Sequence, residues 1–211
     1  MNPLTLYIRA IKAIWLAATA DLRKLPPTSE AFYKALATIV EAYGLAAAEA
    51  AGEFYTTLRA NAGYEDDFEL VIPDIDNLGT DELVGWASST ARTTESFVEL
   101  VAGGLQRRIA NFARETVIET TRQDPRALGW MRIGSPECAF CAMLISRGAV
   151  YSERSATFAS HDNCDCQAVP AFDRSQVRSV NRQFVASARR RSQATTDADR
   201  ERAREWIAEN L

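Results

Sequence analysis

The sequence contains only one histidine and three lysines, and it has no long uninterrupted hydrophobic run. The nearest approach to one, from Ala10 to Ala20, is interrupted by Lys12. Because a spanning helix needs about 20 consecutive apolar residues, we expect no transmembrane segment and no membrane partner. The N-terminus also lacks the charged start and the small-residue cleavage site of a secretory signal. We therefore expect a soluble protein that is made and folded inside a cell.

The composition is that of a globular protein rich in helix. Hydrophobic residues make up 47% and charged residues 25% of the 211 positions, which is typical of a folded chain. The hydrophobic fraction includes 35 alanines. Because alanine has the highest helix propensity and lets helices approach one another closely, this composition predicts a mainly α-helical fold.

Positive charge is carried almost entirely by arginine, and it is concentrated near the C-terminus. The chain has 21 arginines and 3 lysines. Residues 1–172 carry 15 basic and 22 acidic side chains, whereas residues 173–211 carry 9 arginines and 6 acidic residues. A GC-rich genome explains a joint excess of arginine and alanine. The alternative is that the arginines bind phosphate or carboxylate groups, for which the planar guanidinium is well suited.

Hydrophobic periodicity predicts four helices in the first part of the chain. Apolar residues recur every three or four positions in four segments, residues 3–25, 29–62, 80–91 and 94–122. We expect Asn2, Thr28 and Thr80 to act as N-caps of three of these helices. Small residues dominate the second helix between Gly44 and Gly52. The first two helices are therefore expected to form a closely packed antiparallel pair.

The remaining segments divide the chain into three parts. Acidic residues between positions 64 and 79 predict a solvated loop, and Asp124-Pro125 marks a break in the helical pattern. Aromatic and β-branched residues then predict short strands near positions 130–133, 149–151 and 167–169. We expect a mainly α fold with a helical body (1–123), a small zinc-ribbon-like module with short strands (124–172) and an arginine-rich helical tail (173–211).

All four cysteines and the only histidine lie between positions 138 and 166. Two intervening residues separate the first two cysteines, and the second group follows nineteen residues later, so that the candidate ligands are Cys138, Cys141, His161, Cys164 and Cys166. This spacing predicts a structural zinc site with four ligands. Cys138, Cys141 and Cys164 are expected to be three of the ligands, and His161 and Cys166 compete for the fourth position. The alternatives are reduced cysteines without metal or, less compatible with an intracellular protein, disulfide bonds.

The residues around this pattern resemble a known family. The similar segments are Trp130-Met131-Arg132, Pro136-Glu137-Cys138-Ala139-Phe140-Cys141, Arg147-Gly148-Ala149-Val150-Tyr151 and His161-Asp162-Asn163-Cys164-Asp165-Cys166. They resemble the minor head proteins of tailed bacteriophages, in particular the phage Mu F-like head morphogenesis family. They are similar, more closely, to the actinobacteriophage proteins often labelled capsid maturation protease. The motif spans about 40 of the 211 residues, from position 130 to position 166.

The resemblance implies a structural protein of the virion that acts at the portal in head assembly or genome delivery. Its expected partners are the portal protein and capsid proteins, and its expected location is the capsid interior or the portal vertex after synthesis in the host cytoplasm. The cysteine–histidine motif is expected to hold a structural zinc ion. One departure from the family is Asp165, which stands where a basic residue is common. Its negative charge argues against a contact between this loop and DNA.

The protease interpretation requires a nucleophile, a base and an oxyanion site. The only histidine is already required by the metal motif, and there is no His-Glu-x-x-His helix. Glu137 and Glu153 are the local candidates for a metalloprotease base. No catalytic residue is assigned from the sequence, and the chain is more consistent with an assembly protein than with an enzyme.

A zinc-containing DNA-binding protein is the other alternative. It depends on the tail, in which the candidate phosphate or portal contacts are Arg174, Arg178, Arg182, Arg189, Arg190 and Arg191. The first three recur every four residues and would share one helix face. The competing interpretation is an ordinary solvated face. The acidic body and the lack of a recognition helix after the cysteines favour contact by the tail alone, with packaged DNA or with the portal.

Overall fold

A computed structural model describes residues 2–73, 78–134, 139–149, 151, 158 and 160–176. Helices account for 66% of these residues, which confirms the mainly α prediction. Within the described part of the chain, no helix is both long and apolar enough to cross a membrane. The predicted tail helix falls almost wholly outside the described residues. Only a 3₁₀ turn, Arg174–Gln176, is described there.

The four predicted helices are present. They are α1 (Pro3–Arg23), α2 (Glu30–Asn61), α3 (Thr80–Thr90) and α4 (Thr94–Gln123). Asn2 caps α1 as expected, since its side chain accepts a hydrogen bond from the Leu4 amide. Ser29, and not Thr28, caps α2, because the Ser29 side chain accepts a hydrogen bond from the Phe32 amide, whereas Thr28 has a left-handed backbone (φ 61°) and precedes the cap. The helix α3 begins after Gly79, which is also left-handed, rather than after a Thr80 cap.

The three long helices form a bundle in which α1 is antiparallel to both of its neighbours. Tyr7 near the start of α1 stacks on Phe54 near the end of α2, with ring centroids 4.2 Å apart. The helices α2 and α4 run parallel, because Phe32 contacts Phe97 at one end and Arg59 contacts Asp124 at the other. A parallel pair needs a long connection, which is provided by residues 62–93 and includes α3.

The small residues of α2 permit close packing against α4. A Cβ atom at Gly44 would lie only 2.5 Å from the Phe112 ring, so the ring occupies the space above this glycine. Gly103 and Gly104 have the same function in α4. They allow contact with Asn163 of the cysteine module (residues 124–172) and with Leu83 of α3, respectively. The helix α4 continues through both glycines.

The predicted solvated loop is attached to the bundle by a buried arginine. Arg59 is 2% exposed, and its guanidinium contacts Asp124 Oδ2 at 3.0 Å and Asp66 Oδ1 at 2.9 Å. It also donates to the backbone carbonyls of Tyr64 and Asp66. Further along, the Val71 amide donates to a hydroxyl of α4 at 3.0 Å. The segment 64–71 is therefore part of the packed structure, despite its acidic sequence.

The cysteine module contains a two-stranded antiparallel sheet and one short helix. Strand β1 (Gly129–Ile133) pairs with β2 (Gln167–Ala171), and Tyr151 forms an isolated bridge with Trp130. The sequence pattern does not predict the helix α5 (Ala139–Ser146). Trp130 is 1% exposed, and it belongs to the same hydrophobic core as the bundle.

We predict that Gly44→Ala will lower the free energy of unfolding by about 1–3 kcal/mol, because the new methyl group overlaps the Phe112 ring. The matched control is Gly85→Ala in α3, where a Cβ atom would meet nothing within 4 Å. That change should be neutral or stabilise by up to about 1 kcal/mol, since alanine favours a helix. Urea denaturation followed by circular dichroism measures both effects. Equal stability of the two variants would contradict the described packing of α2 on α4.

Candidate metal centre

Two cysteines and the histidine converge at one point. Cys141 lies in α5, whereas His161 and Cys164 lie in the loop that precedes β2. Cys141 Sγ is 3.5 Å from His161 Nε2 and 3.9 Å from Cys164 Sγ, and the three ligand atoms all lie within 4.8 Å of one another. The sulfur–sulfur distance is far longer than the roughly 2.05 Å of a disulfide bond. Two thiols and an imidazole in this arrangement can hold a metal ion.

The histidine ring is oriented by its own loop. His161 Nδ1 lies 2.7 Å from the carbonyl oxygen of Asp162, so this nitrogen carries the proton and donates it to the carbonyl. The lone pair is then on Nε2, which faces Cys141. A hydrogen bond from the second ring nitrogen is the usual way in which proteins fix a metal-binding histidine. His161 itself is exposed, whereas Cys141 and Cys164 are each only 2% exposed.

A tight turn holds His161 and Cys164 close together. The Cys164 amide donates to the His161 carbonyl at 3.2 Å, and Asn163 between them has a left-handed backbone (φ 61°). Two contacts fasten this turn to α4. Asn163 packs over Gly103, and Asp162 forms an ion pair with Arg107 at 3.2 Å. The loop 160–166, here called the ligand loop, is therefore held in place by α4, the helix that forms the centre of the bundle.

A buried arginine of α4 supports the same loop from inside. Arg114 is 0% exposed, and its guanidinium donates to the carbonyl of Cys166 at 2.9 Å and to that of Cys164 at 2.8 Å. A third hydrogen bond goes to Asn111 Oδ1 at 2.8 Å. No sequence motif points to this residue. One signal is present, since position 114 follows the buried Ala110 by four residues and precedes the buried Val117 by three.

Cys166 adjoins the three-residue group without being one of its members. The Cys166 thiol donates a hydrogen bond to the Cys164 sulfur, which is the largest cause of the lowered pKa of Cys164, and the charge of Arg114 lowers that pKa further. The same hydrogen bond and burial raise the pKa of Cys166. Cys166 is also packed tightly against Gly134, where a Cβ atom would lie 2.8 Å from its sulfur. The pair therefore favours a thiolate at Cys164.

The predicted site residues have three different outcomes. Cys141, His161 and Cys164 come together, and Cys166 lies beside them. Cys138 lies outside the described residues, as does Glu137. Arg174 is exposed in its 3₁₀ turn, while the other five arginines of the tail, Arg178, Arg182, Arg189, Arg190 and Arg191, lie outside the described residues. The proposed contact made by the tail stays a prediction.

The metal-binding group opens onto a cleft of about 560 Å³ between α1 and α4. Its walls include Trp15 and Lys12 of α1 and Gln106 of α4, together with all three candidate ligands. The cleft gives an ion access to the ligand atoms from solvent. It also places the exposed edge of His161 next to the surface of the bundle.

We predict that purified protein will carry about one metal ion per chain, and that His161→Ala will reduce this content to near zero. Cys166→Ser is the matched comparison, because Cys166 touches Cys164 but is not among the three converging ligands. This variant should keep its metal. Elemental analysis after size-exclusion chromatography measures the content of each protein. Retention of metal by His161→Ala together with its loss from Cys166→Ser would mean that Cys166, and not His161, is a metal ligand.

Removal of the metal with a chelator should loosen the module more than the bundle. Binding energy at such a site is folding energy for the segment that supplies the ligands. We therefore expect faster hydrogen exchange in β1, β2 and the loop 160–166, with little change in α1 and α2. Hydrogen-exchange mass spectrometry makes this comparison. A metal-free protein with unchanged exchange throughout would contradict a structural role for the ion.

Comparison with known proteins identifies the family. A family model described as VG15 protein matches residues 5–185, a range that includes the bundle and the candidate metal centre. No curated protein and no solved structure matches the chain. Since the matched range spans most of the sequence, the chain belongs to the phage-associated VG15 protein family.

Proposed function

We propose that this protein is a minor capsid protein of a tailed bacteriophage, a structural component of the virion that acts at the portal in head assembly or genome delivery. The observation that carries the proposal is the match of residues 5–185 to a phage-associated family. The resemblance of the cysteine segments to phage Mu F-like head morphogenesis proteins supports the narrower assignment. A ligand set with two buried thiols and a loop supported by α4 is also more typical of a structural centre than of a catalytic one.

The metal in this proposal is zinc. Thiolate and imidazole ligands favour zinc, and structural zinc sites are closed by four such groups. Cys141, His161 and Cys164 supply three ligands and Cys138 supplies the fourth, while Cys166 stays beside them as the hydrogen-bond partner of Cys164. When bound, zinc supplies a fixed tetrahedral link without redox chemistry. The residues of this chain do the rest, since α5 and the turn at 161–164 place the ligand atoms.

A capsid maturation protease is the alternative activity. In this proposal the only histidine of the chain is a metal ligand that faces Cys141, and a histidine bound to zinc is not available as the base for a serine or cysteine nucleophile. A serine protease can also use a lysine as its base. Two of the three lysines, however, form surface ion pairs, Lys24 with Asp21 and Lys34 with Glu30. Both observations favour the structural role. Coexpression with the scaffold and major capsid proteins, followed by mass spectrometry, tests the alternative. Specific cleavage that disappears in one folded point variant would establish the protease.

The proposed contact with the portal or with packaged DNA is made by the arginine-rich tail. Replacing Arg189, Arg190 and Arg191 together with glutamine should weaken binding to the portal protein or to DNA, and it should leave the fold intact. If the partner is DNA, the slope of log affinity against log salt should fall by about 1 for each phosphate that the variant no longer neutralises.

The matched control removes three arginines from the same tail, at positions 200, 202 and 204. Acidic neighbours Glu201 and Glu205 partly neutralise these arginines, so their removal should have the smaller effect. Binding is measured by pull-down with the portal protein and by fluorescence anisotropy with duplex DNA, at several salt concentrations. Equal weakening in the two triple variants would mean that the tail acts through net charge alone. Unchanged binding in both would remove the tail from the proposal.

A further inference from the structure

We infer that Arg114 is the positioning residue of the metal centre, which holds the ligand loop in place and supplies the buried positive charge that offsets the metal-bound thiolates. This inference rests on the proposed metal site. It concerns a residue that belongs to neither the cysteine motif nor the ligand set.

The first argument is geometric. The Arg114 guanidinium is a planar fork, and two of its nitrogens donate to carbonyls that are two residues apart, those of Cys164 and Cys166. Asn111 accepts a hydrogen bond from the third nitrogen at 2.8 Å, which fixes the rotation of the fork. A planar group with three anchored nitrogens restricts the backbone on both sides of Asp165. The Cys164 sulfur is thereby held within reach of Cys141.

The second argument concerns charge. A divalent ion bound by three thiolates and one neutral imidazole has a net charge of −1, and burying such a charge is costly unless a cation lies nearby. Arg114 is 0% exposed, and its guanidinium donates to the carbonyls of Cys164 and Cys166, so its positive charge lies beside both cysteines. Burial lowers the pKa of Arg114, and the charges of Cys164 and Cys166 act in the opposite direction. Its face also lies 4.7 Å from the centre of the Phe158 ring. The site is therefore supplied with a compensating charge that is itself buried.

The third argument comes from the location of Arg114 on α4. This helix packs against α1, α2 and the sheet, so a residue on it is fixed by the whole bundle. A hydrogen-bonding partner outside the ligand set typically changes metal affinity about 10- to 100-fold when it is removed. The structure thus links the affinity of the metal site to a residue fifty positions away from Cys164.

The test is cobalt binding by the full chain. Co²⁺ reports thiolate coordination through its charge-transfer absorption, and its affinity is measured by competition with a chelator. We expect Arg114→Gln to weaken Co²⁺ binding about 10- to 100-fold and to reduce the thiolate band at matched occupancy. Arg114→Lys, which keeps the charge but not the fork, should fall between this variant and the unchanged protein.

The matched control is Arg59→Gln. Arg59 is equally buried and also holds a loop by several hydrogen bonds, but its partners are Asp66 and Asp124 rather than the ligand loop. This variant should lose stability without changing Co²⁺ affinity or the absorption band of its folded fraction. Equal weakening by Arg59→Gln and Arg114→Gln would reduce Arg114 to a general stabilising residue and would overturn the inference.

One further measurement needs no substitution. In the unchanged protein, the Nε–H resonance of Arg114, which donates to the Cys166 carbonyl, should shift when Zn²⁺ is added, whereas that of Arg59 should not. An unshifted Arg114 resonance in a protein that binds Zn²⁺ would contradict the inference even if the variants fail to fold. Failure of the unchanged protein to bind either metal would instead refute the proposed metal site, so the two failures are distinguishable.

Discussion

The burial of α4 is the constraint on which the rest of the structure depends. This helix contacts α1 and α2 along one side and the sheet of the cysteine module along another, so it has little surface left for solvent. Its buried polar side chains therefore need hydrogen-bond partners within the protein. Thr116 and Thr121 donate to carbonyls one turn back in the same helix, and Thr120 accepts a hydrogen bond from Val71. Each of these hydroxyl groups is therefore satisfied without water, as a buried polar group must be.

Two buried guanidiniums extend this arrangement to two loops, one at the C-terminal end of α4 and one along the middle of that helix. Arg59 of α2 joins the C-terminal cap of α4, Asp124, to the segment 64–66, and Arg114 of α4 joins the helix to the ligand loop. Removing a guanidinium from water is expensive, and only several well-placed acceptors offset that cost. Both arginines have such acceptors, and most of them are backbone carbonyls. The loops are thereby held through their own main-chain atoms, so the identity of their side chains matters less.

The sequence is sufficient for the long helices but not for the contacts that organise them. Amphipathic stripes predict α1, α2, α3 and α4 because a helix repeats every 3.6 residues, and that period is visible in one sequence. The helix α5 escapes prediction because its eight residues are too few, and too uniformly apolar, to show a clear period. The segment 64–71 resembles a solvated loop because half of its eight residues are acidic. Its attachment to the bundle depends on Arg59, which contacts it only after the chain has folded.

The candidate ligands are predictable for a different reason. Metal ions bind to a few residue types that are rare in this sequence, which has one histidine and four cysteines. Cys141, His161 and Cys164 are therefore easy to identify as candidate ligands. Their support does not stand out, since Arg114 is one of 21 arginines and acts through backbone carbonyls that every residue has. The choice between His161 and Cys166 is equally invisible in the sequence, because it depends on the turn at Asn163.

The way in which the ligands are supported bears on function. A catalytic zinc keeps one coordination position for water or substrate, whereas a structural zinc is enclosed by protein ligands. Here a third sulfur, that of Cys166, already contacts Cys164, and the sole histidine has its Nε2 directed at Cys141. A chain that commits its only histidine and its buried thiols to one point has no imidazole left for proton transfer elsewhere. The same commitment fits a protein whose work is to present a fixed surface to its neighbours, because a bound ion would hold the module against the bundle.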